Sequence, residues 1–501
     1  MLLRPDSADF RLILLYTARV VFGVGLAMLV PAAAAVAFGE VLDAWSFVLA
    51  SSLAVIVGRV GEMTLQTRRP LTTSHALAAV ASAWLTVPLF GALPLVLSGH
   101  YVGYLDAYFE AMSGFATIGL TLANDVDHMA RSVNLWRHLM QFLGGQGIVV
   151  VVLTAFSSGA ARLGTLYVGE GREDVILPNI VRTARFIWRV ALVYGLIGTS
   201  LLWAALLSAG MTPGLGLYHA VNLFMAAFDT GGFAIQSSSV GFYRSAVVEA
   251  VLLIIMVAGA FSFALHYQLW QGRRRELVDN TETRTMFVSI MTVLSILAIG
   301  LARSGTFEGF EGMFRHGLFQ AISAHTTTGL ATVPGRLYVT EWGALAPAAL
   351  VAAMAVGGMA GSTAGGIKGI RIGIILKGLK ADIRRVLLPE NAVVVETYHA
   401  GARKLVQGVQ VRDAAMLLLL WLGLYLIGAI VGLFYGYPLE LSLFESVAAA
   451  SSGGLSVGIV RPDLETPLKL VYIAQMVVGR LEFIAIFALA GYAVSVVRGR
   501  V

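Results

Sequence analysis

Four short stretches of the chain place a hydroxyl residue two positions before a glycine. They are Thr117-Ile118-Gly119, Thr230-Gly231-Gly232, Thr327-Thr328-Gly329 and Ser452-Gly453-Gly454. None holds a nucleophile beside a base, and the nine histidines show no metal-ligand spacing. What the stretches share is backbone chemistry. Glycine reaches dihedral angles barred to other residues, so neighbouring carbonyls can turn toward a common axis. Carbonyl oxygens from several such loops can replace the hydration shell of an alkali cation. The hydroxyls, above all in "HTTTGL", are expected to face the same dehydrated ion.

The stretches belong to a longer repeat. Aligned on one glycine they read "YFEAMSGFATIGLT", "VNLFMAAFDTGGFA", "LFQAISAHTTTGLA" and "LFESVAAASSGGLS". An apolar residue follows each glycine: Leu120, Phe233, Leu330 and Leu455. Three copies also share Phe109-Glu110, Phe319-Gln320 and Phe444-Glu445. The apolar run before each loop predicts a short helix whose partly negative C-terminal end faces the loop. Glu110 and Glu445 fall near the starts of two of these helices, where a carboxylate caps free N–H groups. The second role open to them is an ion-attracting ring.

The elements that must position these loops are membrane spans. The chain of 501 residues is 57% hydrophobic and 13% charged, against about 25% charged in soluble domains. Apolar segments near the length needed to cross a bilayer fall at 18–39, 44–66, 75–98, 133–157, 186–209, 246–270, 286–303, 342–376, 413–435 and 468–496. Four gaps, 103–130, 212–240, 312–335 and 440–460, hold apolar stretches too short to span and predict re-entrant segments. With the N-terminus inside, 26 Lys and Arg residues fall on the inner side and 8 on the outer, with Arg480 inside a span. This positive-inside pattern puts both termini in the cytoplasm and all four loops on the outer side. The net charge of +6 then reflects basic inner loops and not nucleic-acid binding. With no cysteine, disulfides and thiolate metal sites are excluded. An N-terminal signal peptide ending near Ala35-Val36-Ala37 is the alternative for the first span.

These motifs carry a resemblance to a known group. "LWRHLMQFLGGQGIVVV", "DTGGF", "HTTTGL", "GGMAGSTAGGIKGIRI" and "GRLEFIAIF" make the chain similar to the Trk/Ktr/HKT superfamily of potassium and sodium transporters, over nearly its whole length. The resemblance implies an all-α integral membrane fold. In it, four pseudo-repeats of helix, re-entrant pore loop and helix surround one pore, and an N-terminal two-helix hairpin precedes them. The units would be 1–70 (hairpin), 71–160, 182–275, 282–385 and 408–501. It implies channel-like potassium uptake across the cell membrane, a homodimer, and a cytoplasmic ring of nucleotide-binding regulatory subunits. Potassium would be the substrate, no cofactor would reside in this chain, and any nucleotide would be bound by the partner. Gly119 in the first loop goes with the potassium type. Two departures stand out: Ala116-Thr117-Ile118, where threonines are usual, and "SSGGLS", which leaves the register of the fourth glycine open.

Two features lie outside the loops. Arg480 sits near the middle of the last span, where a charge costs roughly 2.5–3.5 kcal/mol on insertion scales and needs a partner or a cavity. A carboxylate such as Glu482 is one partner. The resemblance instead implies an arginine projecting into the pore below the filter. The stretch Gly357–Gly369 holds six glycines in thirteen residues, which argues for a broken helix, since each costs about 1 kcal/mol relative to alanine. No strand precedes it and no Gly-Lys-Ser/Thr ends it, so it is not a phosphate loop. Close packing through small residues is one explanation. The resemblance implies an intramembrane gate built from Gly357, Gly358, Gly361, Ser362, Thr363, Gly365, Gly366 and Lys368, acting with Arg480. His325 and Asp229 are expected to be struts beside their loops. Alternatives to potassium uptake are a sodium-permeable or cation-coupled transporter, a carrier of a small organic solute, and a non-conducting scaffold. The carrier is disfavoured because only one span looks strongly broken and the repeats have the same orientation. No enzyme constellation is present.

Overall fold

The structure, a computed structural model, describes residues 5–147, 180–307, 309–389 and 392–498. Six helices in it are long and apolar enough to cross a membrane: Ser7–Phe38, Val41–Thr64, Thr73–Leu97, Arg182–Ser208, Thr281–Ser304 and Gly408–Phe434. Two further pairs pass the same test but are sharply bent. Ala246–Ala260 and Phe263–Trp270 meet at 100°, and Thr466–Leu481 and Ile484–Val497 at 114°. The second half of the expected span 133–157 lies outside the described residues.

The first helix starts earlier than expected, at Ser7, not near residue 18. Asp6 caps it by accepting from the N–H groups of Ala8 and Asp9. Asp9 is buried against His75, 2.8 Å away. Arg19, which appeared to interrupt the apolar run, pairs with Glu62 at 3.1 Å. The charges at this end are therefore matched within the fold, and the helix extends through them. Gly39, with φ +76°, ends it. The return helix Val41–Thr64 packs through small residues, as membrane helices do. A Cβ on Gly58 would lie 2.6 Å from the Phe22 nitrogen, and the Ser51 hydroxyl donates to the Gly25 carbonyl at 2.7 Å.

All four expected short helices are present: Tyr104–Phe115, Pro213–Phe228, Phe310–His325 and Leu439–Ala450. Each ends four residues before its aligned glycine. A long helix precedes each and a second helix follows it.

Among the described residues three of these second helices are broken, not one, so the part of the argument against a carrier that rested on a single broken span does not hold. Phe261 takes an extended conformation (φ −78°, ψ 143°), and the Ser262 hydroxyl then caps the next helix by accepting from Leu265 N–H at 3.1 Å. Glu482 and Phe483, both with positive φ, turn the last pair. Neither break contains a glycine or proline, so no local breaker marked them in the sequence. The third break follows Leu345–Val356 at Gly357 (φ +72°), and the helix resumes as Gly369–Leu387.

The all-α expectation needs one correction. Thr397–His399 and Arg403–Leu405 form a small antiparallel hairpin with Tyr398 opposite Lys404. Gly401 (φ +68°) turns it. Two strands of three residues each, the second of them charged and exposed, are too short to show a clear alternation in the sequence.

Candidate functional site

The four loops share one backbone conformation. The hydroxyl residue and the glycine two positions later both have positive φ: Thr117 54° and Gly119 91°, Thr230 48° and Gly232 76°, Thr327 54° and Gly329 82°, Ser452 58° and Gly454 65°. The residues between them, Ile118, Gly231, Thr328 and Gly453, do not. An extended strand points successive carbonyls to opposite sides. Alternating the sign of φ works against that alternation. Positive φ at a β-branched threonine is uncommon and strained. Here it recurs at the same position in three loops, with serine in the fourth.

The loops close into a ring. A Cβ on Gly119 would lie 2.5 Å from the Gly231 carbonyl oxygen, and one on Gly329 would lie 3.0 Å from that of Gly453. One on Gly232 would collide with the Thr328 oxygen, and one on Gly454 with that of Ile118. Each glycine thus faces the carbonyl that precedes the glycine of the next loop, in the order first, second, third, fourth, first. This places Gly454, not Gly453, in register with the other three. Ile118 takes part through its carbonyl, so its apolar side chain does not break the pattern.

Glu110 and Glu445 are structural, but they are not caps of their own helices. Glu110 accepts from the Thr121 hydroxyl at 2.9 Å, the Leu122 N–H at 3.0 Å and Arg137 at 2.8 Å. One oxygen of Glu445 accepts from Ser456 at 2.5 Å and from the N–H groups of Val457, Gly458 and Ile459 at 3.0–3.1 Å. Gln320 holds the third loop through Thr332 at 3.3 Å. Each side chain ties the chain just beyond the ring back to its short helix. Each glutamate is the seventh residue of its helix, past the first turn where N–H groups are free, so it bonds to the segment beyond the ring instead.

The second loop lacks this glutamate and is held from a neighbour. Gln141 donates to the Gly231 carbonyl at 2.5 Å, and Arg137 to that of Ala234 at 3.2 Å. His138 contacts the Phe233 carbonyl at 3.2 Å. Asp229 is a strut, bonded to Gln146 at 2.6 Å. His325 is likewise a strut, 2.6 Å from the Ser289 hydroxyl. The motif "LWRHLMQFLGGQG" was conspicuous in the sequence, but its work on the second loop was not readable there. Gly144, Gly259 and Gly479 were also missed. A Cβ on them would strike the carbonyls of Phe115, Phe228 and Ala450, the last residues of three short helices. Their recurrence after each loop was the available signal.

Beneath the ring lies the 357–368 loop. Gly357 and Gly366 form its neck, where a Cβ on either would lie within 2.8 Å of the other's Cα. The Ile367 and Lys368 N–H groups donate to Ala355 and Val356 at 3.0 Å, which bridges the broken ladder. Gly358, Gly361 and Ser362 form the flank docked on the second unit: Met359 N–H donates to the Ala260 carbonyl at 3.1 Å and Phe263 N–H to that of Gly361 at 3.1 Å. Lys368 is buried and bonds to the Ala364 carbonyl.

The tip of this loop engages the ring's hydroxyls. Thr363 accepts from Thr230 at 3.2 Å and itself lies 3.0 and 2.9 Å from the carbonyls of Phe228 and Gly259. Gly365 N–H donates to the Thr327 hydroxyl at 2.8 Å. Arg480 donates to the Thr117 hydroxyl at 3.1 Å, the Thr363 carbonyl at 3.1 Å and the Gly144 carbonyl at 2.6 Å. The Ser452 hydroxyl donates to the Ala116 carbonyl at 3.3 Å. These hydroxyls are therefore engaged by protein groups, which offsets the strain of their backbone. Glu482 pairs with Arg371. A cavity of about 30 Å3 remains, lined by Lys368, Arg480 and Glu482 among others. That is room for about one water.

The chain is similar to known proteins. The chain is 31% identical over 421 residues to an uncharacterized cation transporter of Methanocaldococcus jannaschii, covering 84% of this chain and 82% of that one. It is 28% identical to the Trk system potassium uptake protein TrkH of Halomonas elongata, covering 89% and 91%. The crystal structure of the potassium transporter TrkH from Vibrio parahaemolyticus matches the fold with a TM-score of 0.81, over 95% of this chain and 98% of that one, at 23% identity. A model of the TrkH family, described as cation transport proteins, matches residues 45–492. With a match of that extent, the chain belongs to the TrkH family of cation transport proteins, and is a multi-pass membrane transporter and not an enzyme.

Proposed function

We propose that this chain takes up potassium ions across the cell membrane through one pore between four pseudo-repeats. The units are 71–160, 182–275, 282–385 and 408–501, with 1–70 as a peripheral hairpin. The ring of Thr117–Gly119, Thr230–Gly232, Thr327–Gly329 and Ser452–Gly454 is the selectivity filter. One observation carries this: four glycines meet the carbonyls of four neighbouring loops in closed cyclic order. Carbonyls held so closely can coordinate a dehydrated alkali ion. Potassium is favoured over sodium by a glycine in every loop and by the names of the relatives from Halomonas elongata and Vibrio parahaemolyticus.

The 357–368 loop and Arg480 form the gate on this reading. They fill the space beneath the ring, and Arg480 places a fixed positive charge in the ion's path. The orientation has both termini in the cytoplasm, in keeping with the basic inner loops. The working assembly is a homodimer with a cytoplasmic nucleotide-binding regulatory ring. The test is rubidium against sodium flux into liposomes holding the full chain, with and without that partner. Rubidium flux well above sodium flux is expected. Equal fluxes would point to the sodium-permeable alternative, and no flux in either condition would remove the transport reading.

A further inference from the structure

The ring's four inter-unit joints are not built alike. Between the first and second units, side chains bond the second loop directly through Gln141, Arg137 and His138. Between the third and fourth, the joint includes a stack of Tyr338 on Phe444 at 6.2 Å. The remaining two joints carry ion pairs: Lys469 with Asp106 at 2.5 Å, and Arg315 with Glu249. The last is bidentate. Arg315 Nε donates to Glu249 Oε2 and its terminal nitrogen to Oε1, both at 2.6 Å.

This pair joins two elements that end at the ring. Arg315 lies on the short helix Phe310–His325, which leads directly into the third loop. Its neighbour His316 holds Thr332 just beyond that loop at 2.9 Å. Glu249 lies in the first turn of Ala246–Ala260, where the helix dipole favours a carboxylate. Further along that helix, Gly259 packs against the last carbonyl of the second short helix and accepts from the loop residue Thr363. Below the pair, Gly241 N–H donates to the Ala331 carbonyl at 3.2 Å and Ala331 N–H to the Ser239 hydroxyl at 3.1 Å. These contacts link the elements that carry the second and third loops, and the planar fork of Arg315 on a carboxylate that is only 5% exposed resists relative motion of the two helices.

We propose that Glu249 and Arg315 form a positioning clamp that sets the width of the ring between its second and third loops, and thereby the discrimination between potassium and sodium. Neither residue touches the ion. The proposal rests on the reading of the four loops as a selectivity filter.

The test uses the full chain in liposomes, with rubidium and sodium flux measured side by side and thermal unfolding as a control. Glu249→Gln and Arg315→Gln should each lower the rubidium-over-sodium ratio by roughly threefold or more, the size expected when one coupled pair is broken. The swapped pair E249R/R315E should recover most of the ratio. Arg315→Lys keeps the charge but loses the fork, and should fall between. Folded single variants with the wild-type ratio would overturn the clamp, as would a folded swap that recovers nothing. If the glutamine variants do not fold, an unchanged ratio in Arg315→Lys overturns it alone. A wild-type chain that does not discriminate removes the filter reading instead.

Discussion

The guanidinium of Arg480 donates to the hydroxyl of Thr117, 3.1 Å away, across 363 residues of sequence. One side chain thereby joins the last helix to the first loop. Through the Thr363 carbonyl it also holds the tip of the loop under the ring.

That contact makes Arg480→Ala informative. It removes a charge and the hydrogen bonds to Thr117, Thr363 and Gly144 from beneath the ring, and it opens the cavity there. Rubidium flux into liposomes is expected to rise severalfold. The loss of charged hydrogen bonds should cost about 2–3 kcal/mol of stability, read by thermal unfolding in detergent. Unchanged flux in a folded variant would argue against an arginine in the ion's path.

Gly329→Ser addresses the ring itself. A Cβ there would lie 2.6 Å from the Gly454 Cα, and the backbone sits at φ +82°. The left-handed conformation alone costs roughly 1–2 kcal/mol for a residue with a side chain. The third and fourth loops must move apart, so the rubidium-over-sodium ratio should fall while the chain still inserts and folds. A folded variant with the wild-type ratio would count against the ring as filter.

Thr363→Val keeps the shape of the loop tip and removes its hydroxyl. Thr230 and the carbonyls of Phe228 and Gly259 then lose a partner. The expected cost is about 1–3 kcal/mol, with faster flux because the loop tip is less firmly held. Removing residues 358–365 entirely should raise flux further. Equal flux in all three proteins would sink the gate.

Glu110→Ala breaks a fully buried ion pair with Arg137, whose side chains are 0% and 1% exposed. An uncompensated buried arginine typically costs about 3–5 kcal/mol. The unfolding temperature should drop sharply, and Glu110→Gln, which keeps one of the two acceptor oxygens that Thr121 and Leu122 use, should drop less. An equal drop for both would show that the lost charge accounts for the whole effect and the retained acceptor for none of it.

A good part of this molecule was legible in its residues. The four short helices, and the glycine in the middle of each loop, followed from one alignment and from apolar runs too short to span. The broken helix at Gly357 followed from a density of glycines that no continuous helix would carry. The breaks at Phe261-Ser262 and Glu482-Phe483 were not legible, because both use ordinary residues forced into extended or left-handed backbone by their surroundings. Glu110 and Glu445 were recognised as structural, yet their partners lie 11 to 27 residues further on, beyond the reach of a local capping rule.

By itself the sequence determined that the chain is a membrane protein, where its apolar helices lie, and that four similar loops recur. These follow from composition and local pattern, which depend only on neighbours along the chain. Only the tertiary structure decided the register of the fourth loop, the cyclic order of the ring and the partners of Arg480, Glu482 and Asp229. Those depend on distances between residues up to 363 positions apart, and a hydrogen bond is made only when both groups arrive within about 3 Å. Gly453 and Gly454 are the same residue type side by side. They became distinguishable when one of them met the carbonyl of Ile118.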